Sequence, residues 1–175
     1  SGLRASPAIT FTGHRDDYLG YAVAGGRMNG DAYGDVLVGG SYDFDGRLSG
    51  LVRGYHGSSG GVQSTPAFSV TRAAGEFGAA VALPGDLTGD GYNDAVIGAY
   101  AEESYAGAAL LYRGGPAGLN STPSIIFSEE DEQSRFGHAV SGAGDVNGDG
   151  HPDLIVGAPY FSVDGIDSGK VHVYY

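Results

Sequence analysis

Two nine-residue stretches of this chain gather side-chain oxygens densely enough to hold a metal ion. The first to draw notice, Asp145-Val146-Asn147-Gly148-Asp149-Gly150-His151-Pro152-Asp153, places them at positions one, three, five and nine. Gly150 at position six permits a sharp turn, and the His151 carbonyl at seven offers a further oxygen. Asp86, Thr88, Asp90 and Asp94 repeat the arrangement, with Gly91 at the turn and Tyr92 offering its carbonyl. Calcium takes roughly six to eight hard oxygens at about 2.4 Å, and alternate residues of a short loop converge in that way. Carboxylates brought this close repel one another unless a cation lies between them. Magnesium fits less well, because flexible cages made wholly of protein oxygens suit the larger ion. Thr88 is a neutral and weaker ligand, so the loop at 86–94 is expected to bind calcium less tightly than the loop at 145–153. A metal-free Asx-turn hairpin would explain one Asp-Gly pair, but not three carboxylates at the same spacing twice.

A third stretch, Arg27 to Asp35, departs from this pattern. Arg27 stands at position one and Ala32 replaces the turn glycine, which leaves Asn29, Asp31 and Asp35. A guanidinium can take over the charge role of a cation. The expectation is that Arg27 reaches Asp31 or Asp35 and that this degenerate loop holds no calcium.

The elements that carry these loops form a repeat. Asp35, Asp94 and Asp153 are 59 residues apart, and Gly39, Gly98 and Gly157 keep the same step. Leu19-Gly20, Phe77-Gly78 and Phe136-Gly137 each precede an Ala/Val-rich run, and Gly50, Gly107 and Gly169 each precede a run ending in Tyr. The middle unit reads as strands over 79–83, 94–99, 107–113 and 124–127, short and rich in β-branched and aliphatic residues. Four antiparallel strands per repeat match a propeller blade, whereas solenoids have shorter repeats and parallel strands. The fold class is therefore all-β, with three blades. The units run over about 13–70, 71–128 and 129–175, and residues 1–12 supply a fourth strand for the last. Propellers have roughly four to eight blades, so three cannot close a ring alone. The raw faces and the edge strand at 170–175 call either for head-to-tail docking of further copies, as a ring or a filament, or for the remaining blades of a larger propeller.

Composition agrees with this reading. The 175 residues include 33 Gly, with 41% apolar and 17% charged, which is too apolar for disorder and too glycine-rich for helices. A formal net charge of −12 argues against nucleic acid and anionic membrane surfaces as partners. Cysteine is absent, which removes disulfides and thiolate metal sites. No apolar run reaches membrane-spanning length and no signal peptide is visible; the Ser start reads as that of a processed or trimmed product. The five His, at 14, 56, 138, 151 and 172, fit no metal or nucleophile motif. Glu129 to Glu132 reads as a solvated acidic loop, Gly57 to Gly61 as a turn, and Asn120-Ser121-Thr122 as a glycosylation sequon whose use depends on the host.

Taken together, these motifs resemble the FG-GAP repeat family, known from integrin α-subunit propellers. Phe77-Gly78 and Phe136-Gly137 match its "FG" element, with Leu19-Gly20 as a variant. Gly157-Ala158-Pro159 matches "GAP", with Gly98-Ala99-Tyr100 and Gly39-Gly40-Ser41 as drifted copies. The resemblance implies calcium in the hairpins between first and second strands. It also implies that protein or glycan partners bind the opposite face, at the loops over 42–49, 100–106 and 161–168 and over 13–18, 71–76 and 128–135. The expected function is a non-catalytic calcium-binding adhesion or assembly module at the cell surface or outside it. The competing expectation is an accessory domain of a carbohydrate-acting enzyme or a carbohydrate-binding propeller. That reading needs an acid-base pair among Asp16, Asp43, Asp45, Glu102, Asp164 and Asp167, which the strand order puts on the opposite face.

Overall fold

The computed structural model describes residues 5–44, 47–73, 75–129 and 132–175, without the side chains at 42–44 and 47–48. Three antiparallel sheets follow one another along the chain. The first contains β1 (Leu19–Gly26), β2 (Asp35–Phe44), β3 (Arg47–Tyr55) and β4 (Phe68–Arg72) in sequential order. The second repeats the order with β5 (Ala80–Gly85), β6 (Asp94–Ala99), β7 (Ala108–Tyr112) and β8 (Ile125–Ser128). The third contains β9 (Ala139–Gly144), β10 (Asp153–Ala158) and β13 (Lys170–Tyr174), paired as β13-β10-β9. A two-stranded ribbon, β11 (Ser162–Val163) with β12 (Ile166–Asp167), decorates the link between β10 and β13. The sheets are blades standing in a row, with β5 packed between β1 and β9.

The alternation of apolar residues explains why the blades stack. Ala95, Ile97, Ala108, Leu110 and Tyr112 turn toward the first blade and join Met28, Leu37, Val52 and Phe77 in one core. Their neighbours in the same strands, Val96, Ala109 and Leu111, turn the other way and meet Phe136, Leu154 and Val156 in a second core. Both faces of β6 and β7 are buried, so these strands read as nearly continuous apolar runs. In the first blade β2 and β3 are also mostly buried, while β1 and β13 alternate between partly covered and exposed positions.

One expectation is corrected here. The segment at 42–49, expected as a loop, is largely strand: β2 and β3 pair as far as Phe44 with Arg47. Residues 5–12 join no strand of the third blade. The middle blade separates the first and third, so a segment leaving the first cannot reach β13 within one chain. Phe11 stacks instead on Tyr55, with ring centroids 4.0 Å apart. Residues 1–4, the start of that expected strand, lie outside the described residues.

Candidate metal loops and the opposite face

The three acidic loops are the hairpins joining β1 to β2, β5 to β6 and β9 to β10. Their ninth residues, Asp35, Asp94 and Asp153, are fully buried. Each tethers the loop start to its own carboxylate, accepting an N–H from Met28 (2.5 Å), Thr88 (3.0 Å) and Val146 (2.7 Å) respectively. Asp35 and Asp94 also accept the N–H of Gly57 (2.8 Å) and Gly114 (3.0 Å), just past the third strand. Since Tyr55, Tyr112 and Tyr174 are equivalent in register, the matching position in the last blade would be one past Tyr175. The Asp153 Oδ1 that would receive this N–H is buried without a partner. The ninth carboxylate thus knits loop to sheet whether or not a metal is present.

Position one separates the loops. Asp86 accepts the N–H groups of Asp90 (3.0 Å) and Gly91 (2.7 Å), and Asp145 accepts those of Gly148, Asp149 and Gly150 at 2.6–3.0 Å. These bonds curl the loop around the first carboxylate. Gly91 and Gly150 sit at φ +91° and +90°, where a side chain is disfavoured. Arg27 can accept nothing, and Ala32 is not left-handed, so the first loop lacks this curl. Among the described residues Arg27 forms no ion pair, although its charge is one of the smaller influences that lower Asp31. Its carbon stem starts on an exposed strand end, and Asp31 is satisfied locally by the Tyr33 N–H (2.7 Å) and the Asn29 amide (2.8 Å). Those bonds, the Tyr33 N–H first, hold Asp31 below the usual carboxylate range. Asp149 is lowered in the same way by the His151 N–H and the Asn147 amide.

The donor set of the second loop fits calcium. Burial pushes the Asp94 carboxyl above its ordinary range; the Gly114 N–H opposes this and the nearby Asp90 charge adds to it. The Thr88 side chain and its backbone N–H both favour the charged form of Asp94, which sets the buried Thr88 hydroxyl beside that carboxylate. A hard cation would take that oxygen as a ligand and relieve the repulsion between the two carboxylates. Among the described residues no three His, Asp or Glu side chains already converge as a metal-holding group, because the first and fifth carboxylates are turned to backbone N–H groups. Tyr92 and His151, singled out for their carbonyls, have a second role: their side chains pack against Gly30 and Gly89 of the preceding loop. The three loops therefore form one contiguous surface.

The opposite face holds a cluster that the sequence reading passed over. The Arg135 guanidinium lies 4.1 Å from the Tyr160 ring centroid, 5.4 Å from Tyr105 and 5.8 Å from Tyr100. A cleft of about 440 Å³ opens there, with Glu132 and Asp167 in its lining. The Tyr100 hydroxyl is pushed up to about 12, by burial first and then by the Glu76 charge, against the pull of Arg135. The spacing of Tyr100, Tyr105, Arg135 and Tyr160 in sequence carries no motif; only the juxtaposition of loops from two blades makes the cluster. Among the described residues Asp16, Glu102, Asp164 and Asp167 form no acid pair with one another. Glu102 is held by Arg72 at 2.7 Å, Asp16 by Arg15 at 3.6 Å, and Asp167 accepts the Ser162 hydroxyl at 2.8 Å. Asp164 is an exposed left-handed turn residue. The Asp43 side chain and Asp45 lie outside the described residues, as do Glu130 and Asp131 of the acidic loop.

Comparison with known proteins follows this architecture. The FG-GAP repeat model matches residues 77–112 and 136–174, the second and third units. Integrin alpha-5 of Xenopus laevis is 37% identical over 159 residues, 84% of this chain and 15% of that protein. Integrin alpha-V of Gallus gallus is 35% identical over 186 aligned residues, 94% of this chain and 17% of that protein. Phosphatidylinositol-glycan-specific phospholipase D of Bos taurus is 33% identical over 173 residues, 90% of this chain and 20% of that protein. The chain thus spans a fifth or less of the length of these relatives.

Proposed function

This chain carries FG-GAP repeats and is homologous to integrin α chains, and from that premise we propose that it is a non-catalytic propeller segment, stabilised by calcium, that serves adhesion or assembly outside the cell. The observation that carries the calcium reading is the buried Asp94 carboxyl, raised by burial and by the nearby Asp90 charge, with the Thr88 hydroxyl beside it. Asp86, Thr88, Asp90, the Tyr92 carbonyl and Asp94 would hold one ion, and Asp145, Asn147, Asp149, the His151 carbonyl and Asp153 another. Bound calcium would supply charge neutralisation in the loops and no reaction step. The first loop, without an acid at position one, is left without an ion.

The location follows from mass action. At about 1 mM calcium, a site with a dissociation constant of about 10 μM stabilises the fold by about 2.7 kcal/mol. Sites this weak empty at cytosolic calcium levels. Partners of protein or glycan type are assigned to the face opposite the loops, where Arg135 and its tyrosines line a cleft. The blade edges are assigned to association with further blades. The alternative, an accessory domain of an enzyme, draws its support from the relative named as a phospholipase D.

Thermal unfolding in millimolar calcium and in excess chelator tests the calcium assignment. The melting temperature is expected to rise with calcium, and most of the rise should vanish in a chain carrying both Asp86→Ala and Asp145→Ala. Identical melting curves in calcium and chelator would sink it.

A further inference from the structure

The cleft beside Arg135 is walled by loops of the second and third blades, so both of its sides lie within this chain. Three hydrogen bonds bolt those loops together. The Arg135 N–H donates to the Tyr105 carbonyl at 2.9 Å, the Ser134 hydroxyl to the Ala106 carbonyl at 3.0 Å, and the Tyr160 N–H to the Ser134 carbonyl at 3.1 Å. The ribbon of β11 and β12 carries the far wall, where the Ser162 hydroxyl donates to Asp167 at 2.8 Å. The walls are therefore set before anything enters, as in most small-molecule sites. The volume of about 440 Å³ falls in the range of roughly 300–1,000 Å³ that such sites occupy.

The cleft is not a by-product of the repeat. One step of 59 residues before Arg135 stands Glu76, which is buried and accepts the Ser41 hydroxyl. Between the first and second blades this position is closed on itself. Between the second and third it holds a half-buried guanidinium that lies against the Tyr160 and Tyr105 rings. Among the described residues that guanidinium forms no hydrogen bond or ion pair. Stacking uses the face of the group and leaves its fork of N–H donors for a ligand.

The charges around Arg135 narrow what that ligand is. Glu132 and Asp167 line the same cleft, and the whole chain carries a formal −12. A carboxylate or phosphate would pair with Arg135 but face two like charges, and an amine would meet the reverse. A run of neighbouring hydroxyls suits both signs, because each hydroxyl donates one hydrogen bond and accepts others. The acids accept, the guanidinium donates, and the Gln133 amide in the lining does both. The Tyr105 and Tyr160 rings add apolar surface with a polar tip, which matches the C–H face of a sugar ring.

We propose that this cleft binds a neutral saccharide of one or two rings. Arg135 and Gln133 donate to its hydroxyls, Glu132 and Asp167 accept from them, and the Tyr105 and Tyr160 rings pack on its C–H face. The site deepens, and rests on, the assignment of glycan partners to the face opposite the acidic loops; calcium has no part in it.

Saturation-transfer NMR on the whole chain tests it, in calcium and again in chelator. The probes are glucose, galactose, mannose, fucose, N-acetylglucosamine, lactose and cellobiose, each at about 10 mM, ample for a dissociation constant of about 1 mM. At least one of these sugars should take up saturation from the protein. Arg135→Met should weaken that sugar by about tenfold or more, the scale of charge-assisted hydrogen bonds. If Arg135→Met lowers the melting temperature, Asp167→Ala on the exposed ribbon carries the test and should weaken binding in the same direction. Glucuronate and glucosamine, the charged relatives of glucose, should bind no tighter than the neutral sugars. Tighter binding of glucuronate overturns the proposal, because the site would then be one for anions. Sugar binding that survives both substitutions overturns this site while leaving glycans assigned to the face, and no saturation of any sugar overturns both. None of these outcomes touches the melting test in calcium, so the two readings fail separately.

Discussion

The middle blade and the two outer blades have nearly the same sequence pattern but differ in what surrounds them. In the middle blade every residue of β6 and β7 is buried. In the first blade the matching strands β2 and β3 are nearly as well buried, whereas in the third β10 is partly open and β13 is largely open. The same valine, glycine or aromatic-glycine pair is therefore a core residue in one copy and a surface residue in another. Repeats of this kind are stabilised by their neighbour interfaces as much as by their own packing. Paired substitutions at equivalent positions separate the two contributions.

The largest contrast is expected at the turns that carry the FG pairs. Phe136→Ala should cost about 3–5 kcal/mol, the usual range for emptying a buried aromatic site. Leu19→Ala, at the half-buried equivalent in the first blade, should cost less than about 1 kcal/mol. Urea unfolding of both variants checks this, and equal losses would remove the contrast. The glycines of the strands come next. Gly98→Ala forces a methyl onto the Gly137 carbonyl and should destabilise by about 1–3 kcal/mol, whereas Gly157→Ala should leave the melting temperature of the monomer unchanged. At the face valines, Val81→Ala should lose about 1–2 kcal/mol of buried apolar surface and Val23→Ala should fall within about 0.5 kcal/mol of wild type.

The smallest contrast lies in the loops with calcium removed. Asp86→Ala strips the acceptor from two loop N–H groups and should cost about 1 kcal/mol. Arg27→Ala should change stability by less than about 0.5 kcal/mol, because its guanidinium makes no ion pair among the described residues. A large loss for Arg27→Ala would restore the idea that this side chain stands in for a cation.

Much of this was legible in the primary sequence. A step of 59 residues recurring in carboxylates, glycines and FG pairs implies stacked copies of one unit, since each unit alone cannot bury its apolar face. The hairpin position of Asp86–Asp94 and Asp145–Asp153 follows from strands on either side. What escaped was anything that depends on a neighbour. Gly50 and Gly107 read as strand starters, but their necessity comes from a carbonyl of the next blade. Arg135 reads as an ordinary loop cation until Tyr100, Tyr105 and Tyr160 are brought around it. The reach of Arg27 was not legible either, because charge complementarity in sequence carries no information on whether a side chain makes contact.

By itself, the sequence determined the blade type, the number of copies and which loops have the oxygens for calcium. These depend on local periodicity and on residue spacing within one unit, which folding does not alter. Only the tertiary structure decided how the blades meet. It seats the Phe77-Gly78 and Phe136-Gly137 turns against glycines of the preceding blade, where any side chain would collide with a backbone carbonyl. That outcome belongs to geometry, because the spacing within one unit says nothing of the distance to the next.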